Sequence, residues 1–170
     1  TEGQACAVGE VGRPHWAVEE DVWSEANELL SWTMERAAKE NLTLQLHVEG
    51  DGASTYADLA AMADRCGLSP SRLVRHHAPS EVDAATTAGL IPSVVVGKGS
   101  VETIMATIAD CKDGFVMETD YMDDAKRPGA VLGPKTVPKR TQALVAAGLD
   151  EEKLWLAHHE IPQRLYGESE

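Results

Sequence analysis

Basic residues are scarce in this chain, and that scarcity limits how it can bind polyanions. The 170 residues include 15 Lys and Arg against 28 Asp and Glu, for a net charge of −13, and aromatic residues make up 5%. Simple electrostatic binding to nucleic-acid phosphates needs clustered basic side chains, so the composition argues against it. A nucleic-acid substrate is still allowed, because metal ions can supply positive charge locally.

Cysteines and long apolar segments are scarce as well. Cys6, Cys66 and Cys111 are odd in number and form no CxxC or CxxH pair, which argues against a disulfide framework or a zinc finger. No run approaches the roughly 20 apolar residues of a membrane span. The N-terminus shows no basic region followed by an apolar stretch, as a signal peptide would. We therefore expect free thiols in a reducing cytoplasm.

What the chain does contain is an alternation of strand-like and helix-like segments, and we expect one domain over residues 1–170. Apolar runs predict strands over 5–11, 42–48, 73–76, 91–96 and 115–119. Helices are predicted over 21–41, 56–66, 82–88, 100–110, 137–147 and 151–158, followed by a short tail, 161–166. This alternation is typical of a parallel sheet in an α/β fold. Five such units fall short of the eight, in about 250 residues, of a complete α/β barrel.

Four of the predicted strands end in a residue that can ligate a metal. These residues are Glu10, His47, His76 and Asp120. In an α/β barrel the strand ends meet on one rim, where catalytic residues lie. Two carboxylates and two imidazoles on that rim would form a divalent-metal site.

These motifs, in this order, resemble the TatD family of metal-dependent hydrolases, TIM barrels of the amidohydrolase superfamily. Gly9-Glu10-Val11-Gly12 is similar to the family's strand-four motif, and Glu118-Thr119-Asp120 to its strand-eight motif. The histidine motifs of strands five and six are matched by Leu46-His47 and His76-His77. The end of the chain, 164–167, resembles the family's Arg-Leu-Phe-Gly-like tail.

The resemblance implies an incomplete TIM barrel made of parallel strands four to eight with flanking helices. It implies hydrolysis in the manner of TatD-type deoxyribonucleases, with a metal-activated water attacking a phosphodiester. Glu10, His47, His76 and Asp120 would hold one or two divalent ions (Zn, Mn or Mg). Glu10, as a bridging ligand, and Asp120, which would also move the proton, are the expected catalytic residues.

The sequence departs from the family pattern in one respect that bears on activity. The family's first strand carries a His-x-His metal-binding pair, and this chain has no His-x-His. We expect a missing N-terminal segment, a second chain or a further copy to cover the sheet edges, since bare edges favour aggregation. Two other functions remain open: a lactonase, amidase or phosphotriesterase of the same superfamily, and an inactive fragment or scaffold.

Other polar residues are predicted near the same rim. His15, Trp16 and Glu49 follow predicted strands and would line the pocket, while Glu118 would orient a metal ligand or belong to a network at the barrel bottom. His77 would point to the other face if its strand is regular. The loop after Asp120 is either solvated or reaches a substrate phosphate or carboxylate through its basic groups, Lys126, Arg127, Lys135, Lys139 and Arg140. We expect the first helix to have a buried apolar face made of Val22, Ala26, Leu29, Leu30, Met34 and Ala37. The helical tryptophans would lie in the core or between helices; they are Trp23, Trp32 and Trp155.

Overall fold

The computed structural model describes residues 5–122, 126 and 131–167. Five strands run through this part of the chain, and each lies where the apolar pattern predicts one. Their bounds are β1 Ala7–Gly12, β2 Thr43–His47, β3 Leu73–Ala78, β4 Ile91–Val95 and β5 Val116–Glu118.

The strands form one parallel sheet whose spatial order is the order of the chain, β1-β2-β3-β4-β5. Because every strand is parallel to its neighbours, all the strands finish at the same end of the sheet, which we call its carboxyl end. The predicted α/β class with a parallel sheet is confirmed. The sequential order is also how the strands of a TIM barrel wall follow one another.

Helices connect the strands, with bounds close to those predicted: α1 Glu20–Lys39, α2 Ala53–Arg65, α3 Ala84–Thr87, α4 Ser100–Thr107, α5 Thr136–Ala146, α6 Glu151–Trp155 and α7 Ile161–Tyr166. Helix α3 is shorter than predicted, because Asp83 caps its start and Ala88 adopts a left-handed conformation at its end. The predicted tail is helical, and a π-helical turn over Leu156–Glu160 joins α6 to α7. No helix in the described part of the chain is long and apolar enough to span a bilayer.

One face of the sheet packs against α1, α2 and α4. Leu44 and Leu46 of β2 are fully buried in a cluster with residues of α1 and α2. Val94 of β4 packs in a second cluster with Ile104 of α4. Because side chains alternate along a strand, the residues between these point to the opposite face, which we call the inner face.

Helix α7 covers the inner face at the amino ends of the strands. Ile161 and Leu165 are buried with Val74 and Ile91. The Thr43 hydroxyl donates to the carbonyl of Leu165 at 2.7 Å, which ties the last helix to the start of β2. The carboxyl end of the inner face is left for the polar side chains described below.

The apolar face predicted for α1 is only partly buried. Leu30, Met34 and Ala37 are buried, but Val22 and Leu29 are exposed. Trp32 and Trp155 are also more than half exposed, so the prediction that they are core or inter-helix residues is wrong. Helical spacing alone marks which residues share a face, and the neighbours actually packed on that face decide how much of it is buried.

Candidate metal centre

The first predicted ligand, Glu10, lies in an irregular part of β1. The pairing of β1 with β2 shifts register between Val8 and Val11, so Glu10 has no partner in the ladder. A bulge of this kind redirects a side chain. Here it leaves the Glu10 carboxylate beside the imidazoles of β2 and β3.

The two glycines that flank Glu10 are required by the close approach of β2. A Cβ atom on Gly12 would overlap the carbonyl oxygen of His47, and one on Gly9 would lie 2.6 Å from the Cβ of Gln45. Only glycine has no Cβ, so only glycine permits these contacts. The two glycines of the Gly-Glu-Val-Gly motif therefore have a steric explanation, because they allow β1 to pack closely against the end of β2 at His47.

Glu10, His47 and His76 converge on one point at the carboxyl end of the inner face. One ligand atom from each lies within 4.8 Å of the other two. His47 Nδ1 is 3.2 Å from Glu10 Oε2, and His76 Nε2 is 3.5 Å from Glu10 Oε1. Three predicted ligands from three separate strands therefore converge on one point, and we call the open region around Glu10, His47 and His76 the mouth.

Asp120 lies next to this group. Its Oδ1 is 3.6 Å from His76 Nε2, the same nitrogen that faces Glu10. Asp120 follows β5 and has a φ of 52°, a left-handed conformation that Asp tolerates better than most residues. All four predicted residues are thus at the same end and on the same face of the sheet.

Glu118 supports His76 from the side away from the mouth. Its Oε1 is 2.9 Å from His76 Nδ1 and accepts a hydrogen bond from the backbone N–H of His77 at 2.8 Å. Its Oε2 accepts a short hydrogen bond from the Ser93 hydroxyl. Of the two positions open to Glu118, the structure supports the one beside a candidate ligand.

His77 was predicted to point to the other face only if its strand is regular, and the strand is irregular there. The φ of His77 is 52° and the pairing of β3 with β4 shifts register between Arg75 and Ala78, so the alternation is broken. The His77 ring is exposed, with its centroid 5.9 Å from that of His76. His77 therefore contributes its backbone N–H to the site while its ring stays at the mouth.

The charges of this group are coupled. The Glu118 carboxylate raises the pKa of His76 despite the burial of that ring, and Glu10 and Asp120 act in the same direction. Burial would raise the pKa of Glu118, but the close His76 imidazole and the hydrogen bond from the Ser93 hydroxyl outweigh it and lower that pKa. The imidazole thus lies among carboxylates that favour a positive charge at the mouth.

The donor set fits a divalent ion. Ligand atoms about 2.0–2.2 Å from a tetrahedral Zn²⁺ lie about 3.3–3.6 Å apart. The separations of His47 Nδ1 from Glu10 Oε2 and of His76 Nε2 from Glu10 Oε1, 3.2 and 3.5 Å, are close to that range, with a different carboxylate oxygen in each. A carboxylate on the far nitrogen of a ligating imidazole, as Glu118 is on His76, is the usual partner of a metal-bound histidine.

Of the three residues expected to line the mouth, two lie there. The His15 ring is 4.6 Å from that of His47, and Trp16 contacts His15. Glu49 does not line the mouth, because its carboxylate pairs with the Arg13 guanidinium at 2.5 and 2.9 Å. Arg13 also pairs with the half-exposed Asp58 at 2.6 Å, so these residues form an ion cluster on the helix side of the sheet in which Arg13 is buried and Glu49 is largely buried.

Two supporting residues were not among the sequence predictions. Ser93 is a buried polar residue in an otherwise apolar strand, and that contrast was a usable signal. Arg13 is a buried Arg directly after the Glu10 motif, but its carboxylate partners lie 36 and 45 residues away in the chain. Nothing in the sequence connects partners so distant.

The loop after Asp120 is described only in part. Asp123, Asp124 and Arg127 lie outside the described residues. Arg140 does not reach toward a phosphate: its Nε donates to the carbonyls of Val96 and Gly97 at 3.3 and 2.9 Å, which holds the loop after β4. Lys135 and Lys139 are exposed, as either interpretation of the loop requires.

The fold and the mouth together define a class: an α/β domain with a mixed histidine and carboxylate centre at the strand ends. A family model described as TatD related DNase matches residues 1–167. The chain belongs to this family, and its parallel sheet is consistent with a TIM-barrel-like TatD domain.

A curated relative gives the same relationship over most of the chain. An uncharacterized protein of Methanocaldococcus jannaschii is 39% identical over 160 residues, which is 94% of this chain and 55% of that protein. This chain therefore spans about half the length of the curated relative it matches.

Proposed function

We propose that this chain carries the metal-binding wall of a phosphodiester hydrolase, in the manner of TatD-type deoxyribonucleases. The supporting observation is the convergence of one carboxylate and two imidazoles within 4.8 Å, with the Asp120 carboxylate 3.6 Å from one of those imidazoles. Membership of the TatD family supports hydrolysis as the reaction class. The scissile phosphodiester would lie over this mouth, at the carboxyl ends of the strands.

In this proposal Glu10, His47, His76 and Asp120 hold one or two divalent ions. A bound divalent ion supplies a Lewis acid that lowers the pKa of water and neutralises charge on the phosphate. Two imidazoles in the donor set favour Zn²⁺ over Mg²⁺, which prefers oxygen ligands.

Each side chain has a role that follows from its position. The Glu10 carboxylate faces His47 with one oxygen and His76 with the other, so it is placed to bridge. Asp120 is the proton acceptor, because its carboxylate lies at the mouth and is partly open to solvent. Glu118 holds His76 through Nδ1, which leaves Nε2 directed at the mouth.

Metal content tests the proposal directly. Elemental analysis of the purified protein should find about one or two equivalents of a divalent metal, and the His76→Ala variant should lose most of it. His159→Ala is the matched control, since His159 lies on the far helical segment against Trp155. Absence of metal from the wild-type protein, after reconstitution with Zn²⁺ or Mn²⁺, would favour an inactive scaffold.

A substrate panel separates the proposed chemistry from its relatives. The metal-loaded protein should cleave an oligonucleotide or a simple phosphodiester faster than a lactone, an amide or a phosphotriester. The reverse order of rates would assign the protein to another reaction of the superfamily, because one metal centre serves all of them.

We also propose that the described sheet is part of a larger barrel in the natural protein. Strands β1 and β5 are the outer strands, each pairing with one neighbour among the described residues, and Val8 of β1 is 37% exposed. An edge of that kind is normally paired or covered. The intact mass of the natural protein, and its mass in solution, would show whether further sequence, a second chain or a further copy supplies the cover.

A cytoplasmic location is part of the same proposal. The three cysteines are free in the structure, as expected of a reducing compartment. Cell fractionation with thiol labelling would test this: all three thiols should react after unfolding without prior reduction.

A further inference from the structure

Two aromatic residues extend the metal centre outward in a line of rings. The Trp16 ring meets His15 edge-on with 4.8 Å between ring centroids, and His15 lies 4.6 Å from His47, which lies 5.5 Å from His76. Trp16 is 63% exposed. Exposure alone is not the signal, because Trp32 and Trp155 are 55% and 58% exposed. Trp16 differs from them in its connection to the candidate ligands.

The segment that carries these rings is fixed at its start. The Arg13 side chain is 3% exposed, donates to Asn27 Oδ1 at 2.8 Å, pairs with Glu49 and Asp58, and lies over the ring of Trp23. Pro14, next in the chain, restricts φ to about −65°. The backbone is therefore held in place three residues before Trp16, which limits the backbone entropy that would be lost when a ligand binds there.

The charges at the mouth favour a neutral contact. Glu10 and Asp120 lie at the centre, and the chain carries a net charge of −13, which disfavours a polyanion at a distance. Stacking of a base on an aromatic side chain does not depend on charge, because every nucleobase has a π-face. Only the His15 ring separates the exposed indole of Trp16 from the candidate ligand His47 in this line of rings, so a base stacked on the indole would lie beside the candidate ligands.

We propose that Trp16, supported by His15, is a subsite that stacks on the nucleobase next to the scissile phosphodiester. This proposal rests on the proposed function for its location, but the stacking itself is measurable without hydrolysis. The shared chemistry is an unpaired nucleobase, and either DNA or RNA would supply it.

A neutral ligand tests the subsite separately from the metal. The probe is a dye-labelled five-nucleotide oligomer with methylphosphonate linkages, which is uncharged and is not a phosphodiester. It is made with deoxyribose and with 2′-O-methylribose, and with an abasic residue at each position in turn. Binding to the natural full-length protein is followed by fluorescence anisotropy in EDTA. Removing the stacked base should weaken binding by roughly 5- to 150-fold at one position.

The variants decide whether Trp16 is responsible. Trp16→Ala should lose the same factor with the intact oligomer and nothing further with the abasic one, while Trp16→Phe keeps most of the affinity. Trp32→Ala and Trp155→Ala, equally exposed, should bind as the wild type does. If Trp16→Ala binds as the wild type does, or loses affinity equally for intact and abasic oligomers, the subsite is wrong. Stacking without any cleavage of an ordinary phosphodiester by the metal-loaded protein would instead overturn the proposed function alone.

Discussion

Two clusters of charged residues lie near the same strand ends, one on each side of the sheet, and they are built differently. The outer cluster lies on the helix side and consists of Arg13, Glu49 and Asp58, so the cation that balances its carboxylates is a side chain of the protein. The inner cluster lies on the inner face and consists of the four candidate ligands Glu10, His47, His76 and Asp120. The ion pairs of Glu10 and Asp120 among the described residues are with imidazoles, which are charged only when protonated.

In our proposal the difference separates a structural cluster from a functional one. A buried carboxylate paired with Arg has its compensation already and has no further ligand to bind. Carboxylates and imidazoles grouped at an open mouth have lone pairs directed at one point, which a divalent cation satisfies. The same residue type, Glu, serves structure in Glu49 and, in our proposal, metal binding in Glu10.

The largest expected effect is on turnover at the inner cluster. Asp120→Asn removes the proposed proton acceptor and one ligand, so cleavage should fall by at least about 10²–10⁴-fold. Folding should be nearly unchanged, as judged by circular dichroism and thermal unfolding. Asp64→Asn, at an exposed position on α2, is the control. Full activity in Asp120→Asn would remove Asp120 from the mechanism.

The next effect is on stability at the outer cluster. Arg13→Met leaves the largely buried Glu49 without its cation, and breaking a buried pair in this way costs about 3 kcal/mol, to which the half-exposed Asp58 adds little. Urea denaturation should show that loss, while the exposed Arg65→Met changes little. If Arg13→Met is as stable as the wild type, the outer cluster is not structural and the comparison fails.

A third prediction concerns the support of His76. Glu118→Gln should weaken Zn²⁺ or Mn²⁺ binding by about 10- to 100-fold, because the carboxylate orients the ligating imidazole. Isothermal titration measures this, with the exposed Glu102→Gln of α4 as control. A variant that binds metal normally but unfolds more easily would show that Glu118 serves packing alone.

The smallest effect is the pH dependence of the outer cluster. Burial would raise the pKa of Glu49, but the hydrogen bonds from Arg13 outweigh it and hold that pKa below its ordinary value of 4.5. A carboxyl whose pKa is lower in the folded state stabilises the fold above its unfolded pKa. That stability is lost as the pH falls from 4.5 through the folded value.

Glu49→Gln should therefore flatten the acid side of the stability profile. Urea denaturation from pH 7 down to pH 3 compares the variant with the wild type, and Glu102→Gln again serves as the control. Parallel curves for Glu49→Gln and the wild type would mean that the Arg13 contact does not favour the ionised form of Glu49.

Much of this fold could be predicted from the sequence because its strands are short apolar runs separated by helices. The periodicity located all five strands and the parallel class follows from the alternation. It could not say which faces of the helices would be covered. Leu29 and Leu30 are adjacent leucines, yet Leu29 is 64% exposed and Leu30 is 1% exposed.

The site was predictable to the extent that parallel strands bring their ends together. That rule predicted that Glu10, His47, His76 and Asp120 would lie at the same end of the sheet. The wrong assignment of Glu49 to the mouth shows the limit of the rule, because residues after a strand turn toward either side. Its partner Arg13, 36 residues earlier in the chain, decided the direction, and sequence spacing does not encode such a pairing.

The short helix α7 has a consequence for how the domain holds together. It covers Val74 and Ile91 and accepts a hydrogen bond from the Thr43 hydroxyl, so it closes the apolar core of the inner face below the mouth. A chain cut before Ile161 would keep all four candidate ligands but open their apolar foundation to water. Loss of metal binding after such a cut would then reflect the loss of apolar packing beneath the site, although every candidate ligand would still be present.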